Sequence, residues 1–212
     1  MCQSADWSSA VASPLSPPFA PVTLEGHHVR LAPLSHADHD GLVDAVRDAA
    51  LAGLWYTSVP TPDTMRAEID RRLGLQAAGS MIPFTVFDVS GTVVGMTTYM
   101  HIDAAVPRVE IGSTWYVPAV QRTGLNTEAK FLLLRHAFEG LGCAVVEFRT
   151  HFLNQQSRRA IERLGAKLDG VLRAHMRMND GSVRDTCVYS VLASEWPSVR
   201  SHLRWQLDRP RA

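Results

Sequence analysis

The sequence predicts an α/β protein built on one mixed sheet flanked by helices. Segments with strand-like alternation interleave with segments of helical periodicity, and a helix-length stretch separates two strong middle strands. The 212 residues, 46% apolar and 20% charged, suffice for a globular core. HHVRLAPL alternates loosely as a first strand ending at Pro33. Ser35 then offers an N-cap, and Leu42, Val43, Val46, Ala49 and Ala50 recur at helical spacing until about Gly53. The segment GLWYTSVPTP reads as a loop. Thr61 or Asp63 caps a second helix running to about Gln76, with Ile69 and Leu73 inward. MIPFTVFDVSGTVVGMTTYMHI gives two strands around a tight turn at Ser90-Gly91. RVEIGSTWYVP is a strand ended by Pro118. A helix from Thr123 to Leu141 follows, with Ala129, Leu132, Leu133, His136 and Ala137 on one face. AVVEFRTH is a strand by its branched and aromatic residues. Asn154 caps a helix carrying Ala160, Ile161 and Leu164, and Gly165 stops it. LRAHMRM and RDTCVYSVL flank a hairpin turn at Asn179-Asp180-Gly181, and Glu195-Trp196-Pro197 starts a last helix. The helix-length crossover makes RVEIGSTWYVP and AVVEFRTH parallel neighbours.

Composition excludes several function classes. Lysine plus arginine and aspartate plus glutamate each number 21, so bulk electrostatics gives no attraction to nucleic acid or anionic membrane. No apolar run approaches the roughly 20 residues that span a bilayer. Three cysteines cannot close a disulfide framework within one chain, which points to a reducing, cytoplasmic setting. No His/Cys grouping has metal-ligand spacing, so no catalytic metal is expected. Residues 1–21, rich in Ser, Ala and Pro without Lys or Arg, read as a disordered tail rather than a targeting segment, leaving 22–212 as one domain.

The most informative stretch is WYVPAVQRTGLNTEAKFLLLRHAFE, where a strand passes through a short loop containing Gly124 into a helix. Unpaired N–H groups and the positive end of the helix dipole converge there, as a phosphate requires. Neither G-x-x-x-x-G-K-[ST] nor G-x-G-x-x-G is present, and from spacing alone an ordinary strand-to-helix loop is the better explanation of the stretch.

The order of residues sharpens this. Gln121-Arg122-Thr123-Gly124-Leu125-Asn126 resembles the Q/R-x-x-G-x-G/A pyrophosphate loop of the GNAT superfamily of acyl-CoA-dependent N-acetyltransferases. Thr127-Glu128-Ala129 matches the T-E-A of its RimJ/RimL branch, the ribosomal-protein N-terminal acetyltransferases. Asn154, Ser157, Ala160 and Leu164-Gly165-Ala166 resemble that branch's N-x-x-S-x-x-A-x-x-x-L-G segment. Gly170-Val171-Leu172-Arg173, Asp180-Gly181, Arg184-Asp185 and Tyr189-Ser190 resemble its later elements, so the likeness runs from about Val22 to Trp196. Two positions depart from the pattern. Asn126 replaces a second small residue, though asparagine tolerates left-handed backbone. Ile161 stands where many members carry a general-acid tyrosine.

The resemblance implies a mostly antiparallel sheet with one splayed parallel strand pair, acetyl-CoA as cofactor and direct transfer to a primary amine. It also implies roles. Backbone groups of Trp115, Tyr116 and Val117 would pair with the pantetheine arm, and residues 121–127 with Asn154 would hold the cofactor. An amine with a pKa of about 10 must lose a proton before attack. A carboxylate base typically contributes about 10²–10⁴-fold. Glu110 is the first candidate, because Val109 and Ile111 point to the opposite face. An ion pair with Arg108 is the structural alternative. Glu147 is the rival, with Arg149 or Arg108 as structural partners. Ser157 can donate a proton to the departing sulfur or simply cap its helix. Trp55 and Tyr56 lie in the loop that lines the acceptor cleft in the family, and can equally form a packed lid. His136, Cys143 and Cys187 read as core residues. The expected acceptor is a protein N-terminal α-amine, with a small-molecule amine or a catalytically silent acyl-CoA-binding module as alternatives, on a monomer or homodimer.

Overall fold

The computed structural model describes residues 19–47, 59–178 and 180–209. Strands β1 (Leu24–Glu25) and β2 (Arg30–Pro33) precede helices α1 (His39–Val46) and α2 (Met65–Ala77). Then come β3 (Met81–Phe87), β4 (Val93–Asp103), β5 (Arg108–Tyr116) and helix α3 (Gly124–Arg135). Strand β6 (Val145–His151), α4 (Gln155–Glu162), β7 (Lys167–Arg177), β8 (Val183–Leu192) and α5 (Trp196–Asp208) complete the order. The eight strands form one sheet in the order β1-β2-β3-β4-β5-β6-β8-β7. Every pairing is antiparallel except β5 with β6, as the crossover predicted.

Local chemistry sets the ends. Ser35 and Thr61 each form a capping box at a 3₁₀ turn leading into α1 and α2. Gly91 in the β3–β4 turn, Gly181 in the β7–β8 turn and Gly165 after α4 all have positive φ, which glycine adopts without a Cβ clash. Helix α3 widens into a π turn at His136–Gly140 rather than running regularly to Leu141.

Two apolar clusters cover the sheet. Leu133 and Leu134 of α3 and Leu203 of α5 pack with Tyr99, Val146 and Val191 of the strands. Leu42 of α1 and Met65 and Ile69 of α2 pack with Met96 and Trp115. Each fully buried side chain of this size contributes about 1.5–3 kcal/mol. Phe19, ahead of the boundary expected at Val22, is buried in the first cluster. The rest of the expected tail, the end of the first helix near Gly53, and both Trp55 and Tyr56 lie outside the described residues. Cys143 and Cys187 are buried, Cys187 in β8 but Cys143 in the loop before β6 rather than in a strand. No helix among the described residues is long and apolar enough to cross a membrane.

Candidate active site

The parallel pairing is short. Arg108, Val109 and Glu110 pair with Val145, Val146 and Glu147, and there the two strands part. Strand β5 continues to Tyr116 along β4, while β6 continues to His151 along β8. The gap between them opens into a cleft of about 1810 Å³ bordered by Glu110, Thr114, Asn126, Lys130, Asn154 and Ser157. The Val117 N–H is spent on the Val94 carbonyl at 2.9 Å, so by the ladder's alternation the Tyr116 groups face the gap. The Val117 carbonyl accepts the Val120 N–H at 3.2 Å, so both backbone groups of Val117 are already engaged.

Within β5 the register shifts between Trp115, opposite Met96, and Gly112, opposite Thr98. Ser113 and Thr114 therefore stand against Thr97 alone, a β-bulge with Ser113 at φ 47. Buried cations hold this bulge from two helices. Arg72 of α2, 3% exposed, donates from Nη2 to the Ser113 carbonyl at 3.2 Å and from Nη1 to Thr98 Oγ1 at 2.6 Å. Glu68, one turn earlier, orients it through Nε at 2.6 Å. Lys130 of α3 donates to Thr114 Oγ1 at 2.8 Å and to Thr97 Oγ1 at 3.3 Å. Burial pushes the Lys130 ammonium down to about 7.

The loop into α3 is built as a helix start. Thr123 is the N-cap, its Oγ1 accepting the Leu125 N–H at 3.2 Å. The N–H groups of Gly124 and Asn126 have no partner within the helix at this end. The left-handed residue of the loop is Arg122, φ 62, and Asn126 lies in the first helical turn. The left-handed tolerance expected of Asn126 is therefore not called on, because the sharp turn falls earlier. Gln121 Nε2 donates to the Tyr116 carbonyl at 3.0 Å, tying the loop to the strand. Thr127 is buried and accepts from Arg163 Nη2 at 3.2 Å. Glu128 accepts the backbone N–H groups of His27 and His28, so the glutamate of T-E-A anchors the β1–β2 loop. Asn154 Oδ1 caps α4 through the Ser157 N–H at 3.0 Å, and the Ser157 hydroxyl has no partner among the described residues. Ile161 is buried, with no tyrosine in its place.

Glu110 is 5% exposed, and its Oε2 lies 2.8 Å from His101 Nδ1 and 3.4 Å from Arg149 Nε. Its Oε1 has no partner among the described residues, yet it is not shut off from solvent, so it opens toward the cleft. The expected pairing of Glu110 with Arg108 does not form. Arg108 Nη2 instead bonds Glu147 Oε1 at 2.8 Å, and Arg149 Nη2 bonds Glu147 Oε2 at 3.0 Å. Glu147 thus has both oxygens in ion pairs, which is its structural reading. A Cβ at Gly112 would stand 2.9 Å from Glu110 Oε1, so glycine leaves the room this carboxylate occupies.

Sequence reasoning missed Arg72, Lys130 and His101. Both cations look like solvated helix charges in the sequence, and His101 ends a strand pattern without any motif. His151, buried at the cleft and lowered in pKa first by burial, was also missed. No group of His, Cys, Asp and Glu among the described residues can hold a metal.

A helix start with free N–H groups, an unpaired strand edge beside it and a carboxylate farther along the same strand fit an acyl-CoA thioester. A splayed parallel pair with this loop at its mouth defines the acyl-CoA-dependent transferases. The comparisons with known proteins agree. Residues 28–167 match the model of the Acetyltransferase (GNAT) domain, and the chain belongs to the GNAT acetyltransferase family, acetyl-CoA-dependent N-acetyltransferases. A GCN5-related N-acetyltransferase from Brucella melitensis is 34% identical, with a TM-score of 0.81 over 92% of this chain and 89% of its own. The Bacillus subtilis (strain 168) protein named "Putative ribosomal N-acetyltransferase YdaF" is 27% identical over 80% of this chain and 93% of its own. Mycobacterium smegmatis RimJ, solved with CoA-disulfide, shares the fold at 20% identity, a TM-score of 0.75 and coverage of 88% of this chain and 95% of its own.

Proposed function

We propose that Glu110 is the general base of this acetyltransferase and that the acceptor is a protein N-terminal α-amine. The observation that carries the first half is the two-sided carboxylate, with Oε2 held by His101 and Oε1 open to the cleft. Bound acetyl-CoA would supply an activated thioester carbonyl. The N–H groups of Gly124 and Asn126 hold the pyrophosphate, and the Tyr116 edge of β5 aligns the pantetheine arm. Arg122, Thr123, Thr127, Asn154 and Trp115 line that groove, while Leu125 is buried in the core behind it. Holding the two reactants in line contributes up to about 7–11 kcal/mol in ideal cases. Glu110 Oε1 takes the ammonium proton, freeing the nitrogen lone pair for attack. The bulge at Ser113-Thr114 leaves backbone groups off the ladder, where a developing oxyanion needs donors. Ser157, at the cleft wall with an unengaged hydroxyl, would protonate the departing sulfur in place of the missing tyrosine and regain its proton from the second N–H of the attacking amine.

The choice of a protein N-terminus is supported by the T-E-A and N-x-x-S elements and by the name of the Bacillus subtilis relative. The test is a panel of Ala- and Ser-initiated peptides against polyamines and amino acids, read by free-thiol release and by product mass. Preferential acetylation of the peptide α-amines is expected. Turnover of small amines alone overturns the acceptor, and thermal stabilisation by acetyl-CoA without any turnover overturns the enzyme reading.

A further inference from the structure

A buried base needs a way to exchange protons with water, and the residue on the far side of Glu110 offers one. Glu110 is enclosed, whereas the His101 side chain bonded to it is 60% exposed. Nothing in ordinary strand geometry puts His101 there. Met100 pairs with Glu110 and Asp103 with Arg108, so two residues of β4, His101 and Ile102, stand against Val109 alone. In a regular ladder residue 101 would oppose Val109 and share its face, which is packed in the core. The bulge, with His101 in the left-handed region at φ 49, turns the imidazole onto the Glu110 face instead. A strained left-handed backbone at a non-glycine residue is characteristically retained where a function uses it. The other charged groups about this pair are Arg149 and Arg184, which both act on Glu110, and, behind Arg149, Glu147 with Arg108.

The geometry points to His101 as the proton outlet of Glu110, an inference that rests on Glu110 being the base. With protons on both ring nitrogens, His101 holds Glu110 Oε2 through Nδ1–H. As the amine proton arrives at Oε1, Nε2–H releases one proton to water. One proton enters the pair and one leaves it, so the pair goes from carboxylate and imidazolium to carboxylic acid and imidazole with no net charge change. The Glu110–His101 pair itself stays at zero net charge throughout. The pair is reset when the exposed imidazole turns its bare nitrogen to the carboxyl and takes that proton, which restores carboxylate and imidazolium, so each turnover passes one proton from Oε1 to solvent through His101.

The test uses the full-length protein, acetyl-CoA and whichever amine of the panel it acetylates fastest. His101→Asn keeps a residue tolerant of left-handed backbone, and His101→Gly relieves the strain and leaves a ring-sized hole. Both are expected to lower kcat by about 10–100-fold, within the span of general acid–base catalysis. KM for acetyl-CoA should stay within about 3-fold of the parent. Imidazole in the buffer should restore His101→Gly at least several-fold, with little effect on the parent or on Glu110→Gln. A merely structural role predicts no rescue. Should Glu110→Gln lose activity while both His101 variants keep parental kcat, or show a loss that imidazole does not restore, the outlet is wrong and the base survives. Should Glu110→Gln retain full activity, or no amine be acetylated, the base reading itself falls and takes the outlet with it.

Discussion

Glu110 and Glu147 stand opposite each other in the last register of the parallel pair, and Arg149 reaches both, at 3.4 Å and 3.0 Å. Two carboxylates directly across a ladder repel, so the guanidinium is what makes the pairing tolerable. Arg149→Gln is expected to cost about 1–3 kcal/mol of stability, since it leaves partly buried charge without its partner. Adding Glu147→Gln removes the repulsion, so the double variant should lose less than the two single losses combined. Additive losses in urea titrations would show that Arg149 does not couple the two.

The same pair separates base from scaffold. Glu147 has both oxygens in ion pairs, whereas Glu110 keeps Oε1 open. Gly112→Ala is a fine probe, because its Cβ would come within 2.9 Å of Glu110 Oε1 and 2.8 Å of Met100 Sδ. The thioether can swing aside, but the carboxylate is tethered by His101. The expected result is a fall in kcat of about 10-fold or more with the melting temperature nearly kept, as sub-ångström misplacement of a reacting group predicts. Parental kcat in this variant would mean that the position of Oε1 is not critical.

Much of the fold was legible because its signals are local. Capping boxes at Ser35 and Thr61, turn glycines at 91 and 181, and the helix-length gap between β5 and β6 each state their structure within a few residues. The misses are non-local. Strand β1 is two residues long and exists only by pairing with β2, and β7 begins at Lys167 through exposed residues without alternation. The phosphate loop could be read from its motif, whereas the bulges at His101 and Ser113 follow from register between strands, which no single segment encodes. Glu128, Lys130 and Arg72 share one cause: a charge on a helix looks solvated until tertiary packing supplies its partner.

Arg72 joins α2 to the bulge, and its loss should be felt at both ends. Arg72→Met leaves the Ser113 carbonyl without its buried donor while Glu68 keeps Arg71 through two bonds of 2.8 Å. A stability loss of about 1–3 kcal/mol is expected. A kcat reduction of about 10-fold at saturating acetyl-CoA should accompany it, because the bulge can then relax. Arg72→Lys, keeping one donor of the fork, should lie between. A variant that is destabilised but fully active at low temperature would reduce Arg72 to a structural tie.

Lys130 yields a prediction in pH. An unfolded lysine keeps its proton to about 10.5, whereas burial makes the folded one release it at about 7. Between those values the unfolded chain binds more protons, so raising the pH across that window stabilises the fold, by up to about 1.4 kcal/mol per unit. Below about 7 both forms are charged and the full desolvation cost stands; above about 10.5 both are neutral and it has vanished. Lys130→Met removes the charge without orphaning its neighbours, since the Thr97 and Thr114 hydroxyls are 2.8 Å apart and bond each other. The variant should therefore be more stable than the parent near pH 6.5, with the advantage shrinking steadily toward pH 10. Urea titrations of both proteins at half-unit intervals measure that difference. If the difference is independent of pH, the Lys130 charge is not what the fold works against.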